Sequence, residues 1–114
     1  MKVVTSTEAM RHQNSATCTA YEYEFKDEKS INGAVIELTG RYPDSGQVLN
    51  DVCKELAYIV DGSGVLTQAG QTYSLNQGDM ALIQPGEPYY FDGTLKMLIS
   101  SSPAWYPEQH HNVE

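Results

Sequence analysis

The stretch that decides the fold is residues 55–93, ELAYIVDGSGVLTQAGQTYSLNQGDMALIQPGEPYYFDG. Residues 56–60 form a continuous apolar run, the pattern of a strand covered on both faces. That run stops at Asp61-Gly62-Ser63-Gly64. Residues 65–68 and 71–75 flank Ala69-Gly70, which predicts a tight hairpin. Asn76-Gln77-Gly78-Asp79 and Pro85-Gly86-Glu87-Pro88 carry the residues that turns demand. Between and after them, residues 80–83 and 89–91 have strand composition, and Asp92-Gly93 turns the chain toward residues 95–100.

The same rhythm extends outward in both directions. Upstream, Tyr21, Tyr23 and Phe25 alternate with Glu22, Glu24 and Lys26, so one strand face is aromatic and the other charged. Ala34, Ile36 and Leu38 continue the alternation. Strands and turns recur at intervals of roughly 8 to 12 residues, the spacing of a sandwich or barrel. Helical periodicity is confined to a turn or two in residues 7–14. The fold class is therefore all-β, in a single domain spanning 1–114. Residues 1–16 read as an N-terminal arm. Residues 102–114 read as an aromatic tail, because Trp105 and Tyr106 between two prolines offer contact area that packs on the barrel. The polar end, residues 110–114, is expected to fray.

Residues 40–93 resemble the two motifs of the cupin family. In the second motif Gly78, Pro85 and Gly86 fall at or beside the family's glycine, proline and glycine positions. Tyr89 stands where the family has a metal-binding histidine. In the first motif Glu55 and Gly62 match the glutamate and glycine, but counting back from Glu55 reaches Val48 and Asn50, or Leu49 and Asp51. Counting forward from Gly40 reaches Gly46 and Val48. No count finds a histidine. Fifteen residues separate Gly62 from Gly78, close to the family's shortest spacing. The resemblance implies a double-stranded β-helix, the jelly-roll or cupin barrel. It also implies that Glu55, Ala57 and Ile59 on one strand, and Tyr89 and Phe91 on another, line the interior.

A cupin metal site needs several imidazoles, and this chain has lost them, so no metal and no cofactor is expected. An oxygen-rich site of Glu55, Asp51 or Asn50, and Tyr89 is the weaker alternative. His110 and His111 are adjacent on an extended chain and point opposite ways, so they do not both serve one ion. The ligand-binding candidates are Glu55, Tyr89, Asp51, Asn50, Tyr42 and Trp105. A carboxyl in a tyrosine-lined cavity has its pKa raised by desolvation and can then give or take a proton. Tyr58 and Tyr90 have outward parity and are expected to be structural.

Fifteen acidic residues against seven basic ones give a net charge of −8, which disfavours nucleic acid and anionic lipid as partners. No apolar run approaches the roughly 20 residues of a membrane helix. Residues 1–10 lack a signal-peptide core, so a cytoplasmic setting is expected, with Cys18 and Cys53 as buried thiols. Three functions fit these observations. The first is a metal-free barrel binding a small polar metabolite, sugar-like or a carboxylate, as a homodimer. The second is a small enzyme, either an acid–base isomerase or epimerase or a metal enzyme with unusual ligands. The third is a structural or protein-interaction module.

Overall fold

The computed structural model describes residues 1–114. Nine strands form one curled sheet: β1 (Met10–Gln13), β2 (Cys18–Tyr23), β3 (Asn32–Tyr42), β4 (Gln47–Asn50), β5 (Lys54–Gln68), β6 (Gln71–Asn76), β7 (Met80–Ile83), β8 (Tyr89–Ser102) and β9 (His110–Val113). One 3-10 turn, Pro107–Gln109, precedes β9. The architecture is the all-β barrel the sequence predicts. No helix is long and apolar enough to cross a membrane.

Strand β8 organises the barrel. It pairs with β3 from Asn32↔Ser101 to Tyr42↔Phe91, and on its other edge with β5 from Lys54↔Ser102 to Gln68↔Tyr89. Both edges of β8 are thus paired along its length, leaving no open ladder there. The hairpin at Ala69-Gly70 forms as expected, joining Gln68 to Gln71.

Two expected turns are instead bends inside long strands. Chain 61–64 does not end β5, and Asp92-Gly93 does not interrupt β8, because each supplies the other's hydrogen-bonding partner where they cross. The crossing is too tight for side chains. A Cβ on Gly93 would lie 2.5 Å from the Gly64 Cα, and one on Gly62 would lie 2.0 Å from the Thr94 carbonyl oxygen. A bulge between Ile59 and Asp61 inserts one residue. It switches the inward parity of β5 from Glu55, Ala57 and Ile59 to Leu66.

The apolar interior is built from Leu38, Val48, Ile59, Leu66, Leu75, Ile83, Leu95 and Met97 among others, all buried. Burying each such side chain contributes about 1.5–3 kcal/mol. The run at 56–60 is covered on one face only. Leu56, Tyr58 and Val60 point outward and stay about two-fifths exposed in the single chain.

The two ends of the chain also depart from expectation. Residues 5–9 make a single turn, in which the Thr5 hydroxyl and backbone N–H both donate to the Glu8 carboxylate, and the chain then extends into β1 against β2. The C-terminal residues do not fray. Strand β9 pairs with β4 from Gln47↔Val113 to Asn50↔His110. Gln109 is buried, and its side-chain oxygen accepts from the backbone N–H groups of Val52 and Cys53. The tail is thereby locked to the barrel.

Candidate functional site

One end of the interior is polar and encloses a cavity of about 120 Å³. Each polar side chain reaches it by strand alternation. Strand β5 contributes Glu55, and β8 contributes Tyr89 and Ser101, while Asn50 of β4 stands behind the lining, bonded to Glu55; all four are buried. Tyr42 comes from the end of β3. Trp105 and His110 come from the tail, which lies across the cavity because β9 is paired to β4.

Asn50 is the hub. Its Oδ1 accepts from the Trp105 indole N–H at 2.9 Å and lies 2.8 Å from His110 Nδ1. Its Nδ2 donates to Glu55 Oε1 at 3.0 Å. An amide oxygen only accepts, so His110 carries its proton on Nδ1. The lone pair on Nε2 then accepts from the Tyr42 hydroxyl at 3.0 Å. The Tyr42 and His110 rings are stacked with planes 11° apart, and Trp105 meets His110 edge-on. The tail is held again by Asn32, whose side-chain oxygen accepts from the Trp105 backbone N–H at 3.0 Å.

Glu55 sits at the other end of this chain of bonds. Its Oε2 accepts from the Ser101 hydroxyl at 3.0 Å. The Tyr89 hydroxyl is near enough to favour the ionised carboxyl without closing a full hydrogen bond. Burial outweighs these donors and raises the Glu55 pKa above the usual carboxylate range. Burial, with the neighbouring His111 adding to it, acts the opposite way on His110 and lowers its pKa. Tyr42 is pushed up to about 12, chiefly by burial, and burial beside Glu55 holds the Tyr89 phenol well above its ordinary value. Both phenols are therefore neutral donors. Both cysteines are buried and unbridged, and burial raises the pKa of each, so neither is an activated nucleophile.

Five of the six sequence candidates converge here: Glu55, Tyr89, Asn50, Tyr42 and Trp105. Asp51 does not. It faces solvent at the rim, where its carboxylate lies 2.6 Å from His111 Nε2. His110 and His111 do point opposite ways, one inward and one outward. Sequence reasoning missed His110, Ser101 and Glu22 as lining residues. For His110 the only local signal was the alternation of residues 110–113. The charged side of β2 is the one that turns inward: Cys18, Ala20 and Glu22 line the cavity.

The donor set does not fit a first-row metal. The motif positions reached from Glu55 hold Val48 and Asn50, or Leu49 and Asp51; Asn50 has both its amide groups engaged, Asp51 faces solvent, and Tyr89 is a neutral phenol. No three His, Cys, Asp or Glu side chains come together.

The profile described as a cupin domain matches residues 43–99. No curated protein matches the chain. Among solved structures, that of Pac13, a nucleoside dehydratase, has a TM-score of 0.88 at 18% identity, covering 100% of this chain and 92% of that one. A His→Gln form of the Streptomyces protein, solved with uridine, has a TM-score of 0.85 at 18% identity, covering 96% and 88%. Ectoine synthase from P. lautus has a TM-score of 0.75 at 17% identity, covering 100% and 91%. At such identities these likenesses speak to fold alone. The strand order, the glycines that let β5 and β8 cross, and the matched profile agree, and the chain belongs to the cupin-domain family.

Proposed function

We propose that this cupin binds a small polar, hydroxylated metabolite in its cavity and moves protons on it without a metal or other cofactor. Isomerisation, epimerisation and elimination of water are the reaction classes that fit. One observation carries the reading: Asn50 joins a carboxyl whose pKa is raised to an imidazole whose pKa is lowered. The carboxyl holds its proton to higher pH than an ordinary one and the imidazole stays free of its second proton to lower pH, which suits one to give a proton and the other to take one. His110 Nε2 is the acceptor, with the Tyr42 hydroxyl as its immediate proton donor and relay. Glu55 is the acid, with the Ser101 and Tyr89 hydroxyls orienting its proton. The apolar remainder of the lining, including Leu38, Phe91 and Met97, keeps water away from the reacting atoms. The likeness of fold to a nucleoside dehydratase solved with uridine supports a sugar-like or nucleoside-like ligand.

A thermal-shift screen of sugars, nucleosides and small carboxylates tests the binding step. At least one compound should raise the melting temperature, and Glu55→Gln or Tyr89→Phe should remove that shift. If no compound moves the melt, the cavity is structural and the chain is an interaction module.

The functional unit is a homodimer in a cytoplasmic setting. Leu56 and Tyr58 on β5, Met80 and Leu82 on β7 and Leu98 on β8 are cross-strand neighbours that face outward. A second copy seated there would cover the face that the run at 56–60 leaves open. Sedimentation should give twice the 12.6 kDa chain mass, and a single-chain mass would remove the dimer.

A further inference from the structure

The cavity's charges narrow the ligand class, and this step rests on the small-molecule reading above. The site is the cavity itself; its carboxyl groups say what it admits. Glu22, Glu24 and Glu55 line it, and no lysine or arginine does. The nearby cations are committed elsewhere. Arg41 donates to the carbonyl oxygens of Pro43 and Gly46 at 2.6 and 2.8 Å, and its guanidinium lies 4.0 Å over the Tyr90 ring. Lys2 donates to the Lys26 carbonyl. Lys29 lines an adjoining hollow that shares Glu24, Asn32 and Trp105 with the cavity, and does not line the cavity itself.

Glu22 and Glu24 lie two residues apart along β2 and just beyond its end, continuing the inward parity of Cys18 and Ala20. His12 Nε2 is 3.3 Å from Glu22, and Lys29 shares the adjoining hollow with Glu24. An anionic ligand would meet carboxyl groups in a largely apolar enclosure with no lysine or arginine in its lining, and both burial and like charge oppose that. An ammonium group meets the reverse: two carboxylates two residues apart, one half-buried and one open to solvent, at the edge of an apolar pocket.

We infer that the cavity takes an amine-bearing metabolite, its ammonium group held at the Glu22–Glu24 edge and its hydroxylated skeleton turned toward Glu55 and His110, and that it turns away carboxylates and phosphates. Partial burial of Glu22 strengthens such a pair relative to one in open solvent. The carboxylate ligands allowed by sequence alone are set aside.

Matched probe sets test this. Glucosamine, glucose and glucuronate share one skeleton and differ in charge; ribosides with an amine, a hydroxyl or a carboxylate at the 5′ carbon form a second set. Binding of each to the intact chain is measured by calorimetry at low and high salt. In the skeleton that binds, the amine should bind about tenfold tighter than the alcohol, with the carboxylate weakest. High salt should shrink the preference. Glu22→Gln/Glu24→Gln should abolish it, and Glu24→Gln alone, at an exposed position that folding does not depend on, should reduce it. A carboxylate form that binds as well as the amine would overturn the inference while leaving the binding reading intact. So would a preference unchanged in the double variant. If no member of either set binds in any charge form, the small-molecule reading fails and takes this inference with it.

Discussion

The barrel interior has two ends made from the same strands. At one end Ile59 of β5 and Leu95 of β8 pack hydrocarbon against hydrocarbon, both buried. At the other, Glu55 of β5 and Ser101 of β8, a few residues along on the same faces, are as well buried but joined by hydrogen bonds to Asn50, His110 and Trp105. Burial alone does not distinguish the ends; the fate of the polar atoms does. The apolar end stabilises the fold whatever occupies the other. The polar end is stable only as a completed network, since each buried group depends on its partners. A site for chemistry is placed where the scaffold is rigid but the local contacts are conditional.

The contrast is broken most strongly at the apolar end. Ile59→Ala should cost about 2–5 kcal/mol, through lost transfer energy and the cavity left behind. Urea denaturation measures it, and a loss within error of zero would show that this end is not the packed core. The middle effect lies at the hub. Asn50→Ala removes the shared partner of Glu55 Oε1, His110 Nδ1 and the Trp105 indole N–H and should cost about 1–3 kcal/mol. Combined with His110→Ala it should be clearly less than additive, because both changes dismantle one network. Full additivity would mean that the groups do not act together. The smallest effects on stability belong to Glu55→Gln and Tyr89→Phe, each expected to change it by about 1 kcal/mol or less, although both remove the ligand's thermal shift.

How much of this was legible in the sequence follows the same division. Local patterns carry the all-β fold, the hairpin at Ala69-Gly70, and which of Glu55, Ala57, Ile59, Tyr89 and Phe91 share a face, because alternation and turn chemistry are encoded within a few residues; that those faces turn inward comes from the family resemblance. The bends at Gly62 and Gly93 were misread as turns. Their local chemistry is that of a turn, and only the pairing of β5 with β8 reveals continuous strands. In the sequence His110 reads as part of a fraying tail, for a related reason. The strand that holds it exists through pairing with β4, some sixty residues away, and a short polar segment gives no local sign of that. Alternation in β2 separated two faces correctly but could not say that the side bearing Glu22 turns inward. Asp51 was chosen by counting within a motif, and the one-residue step from Asn50 sends its side chain to the opposite face.

The central claim is that one hydrogen-bonded network joins a carboxyl whose pKa is raised to an imidazole whose pKa is lowered. Its sign is fixed by linkage. His110 is depressed by burial, so the stability its neutral form contributes is present above about pH 6.5, the ordinary imidazole value, and is lost as pH falls through the folded value. Glu55 is raised, so its contribution is present below about pH 4.3 and is lost as pH rises through its folded value. Side-chain NMR titration of the intact chain reads both groups at once. The account predicts a neutral, Nδ1-protonated His110 that titrates below its ordinary value, together with a Glu55 carboxyl that titrates above its own. A His110 that is already charged at neutral pH, or a Glu55 that ionises like a surface carboxylate, would contradict it.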